Sequence, residues 1–129
     1  MTTEDPRVTD LTQRAFNAMA SGRGDEAAVL WSQLYQIAPN NPQALLHLGQ
    51  MALRGGEDAA ALNFLRRASS AAPQDAIIHL NLAFALRKTG DLAGEGEAYD
   101  RALVADPYCY PAFLGKGEVY EKMGKRRMA

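Results

Sequence analysis

Cysteine is nearly absent from this 129-residue chain. Its single Cys109 excludes an internal disulfide framework and any cysteine-based zinc ribbon. Histidine is almost as scarce, with only His47 and His79. A metal site needs at least a third ligand of suitable type, and no His-x-x-x-His pair or carboxylate–histidine spacing supplies one. The expectation is therefore no metal and no cofactor, with both histidines on a packed or groove-lining face. The net charge is only -1, from 14 basic and 15 acidic residues, so no global field draws nucleic acid or an anionic lipid surface. No apolar run approaches the ~18 residues that cross a bilayer. The start, "MTTEDPRVTD", has neither a basic nor an apolar leader region, which predicts no secretory signal. Together these absences predict a soluble, cytoplasmic protein without nucleic-acid or membrane partners. A hydrophobic content of 47% in turn excludes a wholly disordered chain.

Catalytic constellations are missing too. Cys109 sits among aromatics in "DPYCYPAF" with no histidine near in sequence to act as its base, so a packed thiol is expected. "SGRGD" and "GGED" are loop glycines without the strand, lysine and hydroxyl of a phosphate loop. Glu95 and Glu97 form a carboxylate pair with no visible pocket. The chain is predicted not to be an enzyme.

What the sequence does contain is a period. Pro39, Pro73 and Pro107 recur every 34 residues in the matching frames "IAPNN", "AAPQD" and "ADPYC". The units run 8–41, 42–75 and 76–109, with a shorter 110–129. Their eighth positions hold Ala15, Gly49, Ala83 and Gly117, and their fifteenth Gly22, Gly56, Gly90 and Gly124. In the second unit Leu45, Leu48 and Ala52, then Ala61, Leu65 and Ala68, fall on helical spacing with a break between, which predicts two amphipathic helices. Asp5-Pro6 and Asn41-Pro42 read as an N-cap followed by proline at the first helical position. The fifteenth-position glycines suit a left-handed helix end, and each terminal proline stops a second helix.

The unit "PQALLHLGQMALRGGEDAAALNFLRRASSAAPQD" resembles the tetratricopeptide repeat family, and its neighbours in phase extend the resemblance over roughly residues 8–129. It implies an all-α solenoid: one domain over 1–129, about three and a half helix-turn-helix repeats, in a right-handed superhelix whose concave face comes mainly from first helices. It also implies protein–protein interaction. In family register the groove residues are Thr12, Phe16 and Met19; Gln43, Leu46, Gln50 and Leu53; Leu80, Phe84, Arg87 and Lys88; and Leu114, Glu118 and Glu121. Leu46, Leu80 and Leu114 either line the groove or pack unit against unit. Arg87 and Lys88 read as a cationic edge for a peptide or helix with apolar anchors and an acidic flank. Chaperone-binding members clamp a terminal carboxylate through lysine and asparagine columns. Here those columns read Thr12/Phe16, Leu46/Gln50 and Leu80/Phe84, and only Asn81 matches, so no such clamp is expected.

Several positions depart from the pattern. Arg14 and Lys116 occupy a column usually filled by buried leucine. Glu95 replaces a small residue between paired helices and must tilt outward or find a cation. In register, Gly124 is a turn glycine and Ala129 the small residue of the next helix. "GKRRMA" therefore reads as the first turn of an unfinished second helix rather than a nucleic-acid-binding tail. Phe113, Gly117 and Tyr120 would then face a missing partner helix, which suggests self-association there. The stretch "ADPYCYPAFLGKGEVYEKMG" is also similar to the segment before the catalytic domain of bacterial aspartyl/asparaginyl β-hydroxylase-like proteins. That similarity implies an alternative: the repeat region of a larger 2-oxoglutarate-dependent enzyme, inactive by itself.

Overall fold

The prolines and caps act as their chemistry dictates. In the computed structural model, which describes residues 4–128, the chain forms seven α-helices and, among those residues, no strand. They are α1 (Pro6–Ala20), α2 (Gly24–Ile37), α3 (Pro42–Arg54), α4 (Asp58–Ala71), α5 (Ala76–Thr89), α6 (Leu92–Ala105) and α7 (Tyr110–Met128). The Asp5 carboxylate accepts from Arg7 N, and the Asn41 side chain accepts from Gln43 N and Ala44 N, so both satisfy first-turn donors that no helical carbonyl can reach. At the other ends, α2, α4 and α6 stop at residues with non-helical backbone, Ala38, Ala72 and Asp106. Each precedes a proline, whose ring disfavours helical geometry in the residue before it.

Gly22, Gly56 and Gly90 have φ of 74°, 76° and 82°, the left-handed turn that lets each second helix fold back on its first. Gly124 breaks that column. It lies inside α7, which continues unbroken for 19 residues, so the expected helix end at Gly124 is overturned. Glycine permits the left-handed turn without forcing it. Among the described residues the intrahelical bonds of α7 simply continue through Gly124. Ala129, assigned to that second helix by register, lies outside the described residues.

Each helix packs on the next in sequence, and α3 also reaches α5, which makes a solenoid. One core cluster gathers Val8, Ala15, Ala18, Leu30, Trp31 and Leu34 in the first unit. A second runs from Leu45 through Tyr99 to Val119, and Tyr35 touches both. Small residues set the closest approaches. A Cβ on Gly49 would lie 2.7 Å from Leu65 Cγ, and one on Gly115 would overlap the Tyr99 ring. The departures find partners. Arg14 pairs with Asp10 at 3.4 Å, while Lys116 pairs with Asp100 at 2.6 Å and lies over the Tyr120 ring. Glu95 stays inside and takes a cation, Arg87.

Candidate interaction groove

The first helices place the register-assigned residues in three different environments. Phe16, Met19, Phe84 and Leu114 remain exposed at about two-fifths to one-half of their surface. Gln50, Leu53 and Leu80 are half-buried. Leu46 is different: at 5% exposure it belongs to the core, packing unit against unit instead of facing a ligand. Thr12 turns its hydroxyl onto the Val8 carbonyl, 2.7 Å away.

The two cations are already engaged. Arg87 donates to the Glu95 carboxylate at 3.0 Å, to the Tyr99 hydroxyl at 2.8 Å and to Glu118 at 3.3 Å. The Tyr99 hydroxyl donates in turn to Glu95. Burial, aided by the neighbouring Glu95, pushes the Tyr99 phenol up to about 12. Hydrogen bonding to Glu95 holds the Arg87 guanidinium above its ordinary value. Lys88 reaches the Leu53 carbonyl at 3.2 Å and lies 3.5 Å from Asp58. A free cationic edge is therefore replaced by a network that ties α5 to α3, α4, α6 and α7. Asn81 is committed as well: it accepts from Gln50 Nε2 and donates to the Ile77 carbonyl.

A feature that the register did not single out lies between α1, α2 and α3. Trp31 and His47 stack with centroids 4.2 Å apart and planes 10° from parallel, and Phe16 sets its edge against both. Trp31 and His47 border a cleft of about 560 Å³ that Met19, Gln50, Met51 and Arg54 also line. Burial lowers the His47 pKa; a hydrogen bond to Gln50 opposes the shift and the Arg54 charge adds to it. The shift favours the neutral form of the ring. Its only sequence signal is the chain's single tryptophan one helix away. His79 is a packing residue: Ser69 Oγ lies 3.0 Å from its Nδ1, and Nε2 is 2.8 Å from the Pro73 carbonyl. Among the described residues no group of three or more His, Cys, Asp or Glu gathers around a common point. Nor is any helix long and apolar enough to cross a membrane.

Comparison with known proteins decides the family. Tetratricopeptide repeat profiles match residues 18–80 and 58–108, which together span most of the chain. The chain belongs to the tetratricopeptide repeat (TPR) family. No curated protein matches it. Among solved structures it is similar to the TPR domain of Sgt2 from Aspergillus fumigatus, at 22% identity and a TM-score of 0.81, covering 98% of this chain and 85% of that one. A mutant of the O-GlcNAc transferase from Thermobaculum terrenum is 30% identical with a TM-score of 0.78; the match covers 92% of this chain and only 23% of the transferase. The Yersinia enterocolitica secretion chaperone SycD, solved with a peptide of the translocator YopD, is 16% identical with a TM-score of 0.77, covering 93% of this chain and 97% of that one. At identities this low the Sgt2 and SycD likenesses establish the TPR architecture alone.

Proposed function

We propose that this TPR chain is a non-enzymatic protein–protein interaction module that takes a peptide or helix in a concave, partly apolar groove formed by its first helices. The observation that carries the reading is the exposure of Phe16, Met19 and Phe84 on α1 and α5 while Ala15 and Ala18 beside the first two, and Leu82 and Leu86 near the third, are buried. Exposed aromatic and methionine side chains on rigid helices serve as anchors for another chain's apolar residues at little entropic cost. The SycD complex supports the class of ligand. The groove residues are Phe16, Met19, Gln50, Leu53, Leu80, Phe84 and Leu114, with the Trp31/His47 cleft adjoining Met19 and Gln50. Arg87 and Lys88 line it while serving mainly to join units, so affinity rests on apolar anchors more than on charge.

Selection of peptides from a displayed library on the whole chain tests this. Phe16→Ala and Phe84→Ala are each expected to weaken the selected ligands about tenfold, as loss of an interface anchor does. Ligands indifferent to both changes would place binding elsewhere.

A further inference from the structure

Arg54 stands apart from the other cations of α1, α3 and α5. Arg7 pairs with Asp5, Arg14 with Asp10, Arg87 with Glu95 and Lys88 with Asp58. Among the described residues Arg54 has no carboxylate in ion-pair reach. Asp25 is its counterpart. It has no cation partner among those residues either, and neighbouring Arg23 is taken by Glu26 at 3.0 Å. Asp25 from α2 and Arg54 from α3 line the same cleft that Trp31 and His47 border, yet they do not pair with each other. Each charge lies at the helix end that the backbone dipole favours, acid in the first turn of α2 and base in the last turn of α3. Neither needs the other to hold its place.

A cleft with one unpaired acid, one unpaired base and no net charge is selective about what enters. A segment of one sign meets one attraction and one repulsion there, whereas a segment carrying both signs meets two attractions. His47 adds no third charge at pH 7, because burial lowers its pKa from 6.5. Much of the remaining wall is apolar. Met19 and Met51 are flexible and polarizable, so they adapt to the outline of a guest side chain, aromatic or aliphatic. At about 560 Å³ the space admits a large one. The other cations of the groove, Arg87 and Lys88, are committed to joining units, which leaves Arg54 as the base available to a ligand's acid.

We propose that this cleft takes a segment of the partner protein in which one basic and one acidic residue flank a large apolar side chain. The base meets Asp25, the acid meets Arg54, and the apolar side chain enters against Met19 and Met51. This rests on the groove reading and names the chemistry that its first-unit end selects. Apolar contact supplies the affinity, and the two charges supply the choice. Chain direction stays free, because reversing the segment exchanges the places of its two charges. The requirement is that both signs are present.

The test is selection from a displayed library of short random peptides on the whole chain and on three variants: Asp25→Lys, Arg54→Glu and the two together. Wild type is expected to enrich a base and an acid on either side of an apolar residue. Asp25→Lys shifts the selected sequences to acids on both sides, and Arg54→Glu shifts them to bases on both sides. The double variant, dipolar again, returns to mixed pairs. A second measurement leaves the protein unaltered. In a peptide selected on wild type, replacing the acid by lysine weakens binding about threefold by fluorescence anisotropy, the size of one exposed attraction turned into a repulsion. The same peptide gains affinity for Arg54→Glu, and about 1 M salt closes both gaps. Ligands that lose affinity on Phe84→Ala but whose charges do not follow residues 25 and 54 overturn the cleft assignment and leave the groove reading standing. Enrichment of a single sign on wild type overturns the assignment as well. No ligands at all overturn both.

Discussion

Two seams of the solenoid do the same job with opposite chemistry. Between the first and second units, Phe16, Trp31 and His47 interlock as rings, and the contact is aromatic and neutral. Between the third unit and α7, Arg87 draws Glu95, Tyr99 and Glu118 together, and the contact is charged and hydrogen-bonded. The repeat constrains helix placement and leaves the adhesive open: rings tolerate small shifts, whereas the guanidinium network holds one geometry because each partner satisfies another.

The largest expected effect comes from breaking the aromatic seam. Trp31→Ala removes the largest fully buried side chain and the surface on which His47 stacks. A loss of ~3–5 kcal/mol is expected, read by urea unfolding followed through far-ultraviolet circular dichroism. The polar seam is expected to cost less when cut. Glu95→Ala takes the acceptor from the Tyr99 hydroxyl and the shortest ion pair from Arg87, but Arg87 keeps Tyr99 and Glu118, and its side chain is 41% exposed and recovers water. The penalty falls to ~2 kcal/mol, below the cost of breaking a fully buried pair. Glu95→Gln should recover part of it by keeping an acceptor for Tyr99. If Glu95→Ala equals Trp31→Ala in cost, the contrast between the seams is wrong.

Smaller effects separate the seams by pH. Burial depresses the His47 pKa below the ordinary 6.5, so its contribution is complete above that value and is lost as pH falls through it toward the folded value. Tyr99 is raised from 10.0 to about 12, so its contribution is complete below 10.0 and is lost as pH rises through about 12. Thermal melts across this range should show that His47→Gln flattens the acid slope alone and Tyr99→Phe the alkaline slope alone.

Much of the architecture was legible because it rests on local chemistry. Proline just after a helix stop, Asn41 before Pro42, and glycine at residues 22, 56 and 90 each act through local backbone geometry. Gly124 misled for the same reason: the residue allows a turn, but among the described residues α7 runs through it unbroken. The groove was less legible. Register placed Leu46 on the concave face, yet unit nesting buries it, and the breadth of a helical face does not reveal which neighbour comes nearer. Lys88 read as a free cation because its partner Asp58 lies 30 residues away in sequence, visible only once units stack, whereas Arg87 is held first by Glu95, 8 residues on in its own unit, and then by Glu118 across the next seam. The Trp31–His47 stack joins a second helix to the next first helix, a pairing that a within-unit column cannot display.

The missing side chain at Gly115 and the ring of Tyr99 occupy complementary halves of one space. Their fates under mutation are consequently ordered. A change that shrinks residue 99 opens room in which residue 115 can acquire a methyl group and a stronger tendency to stay coiled. The reverse order must pass through a chain whose last two rods are wedged apart, so drift at this junction has a permitted direction.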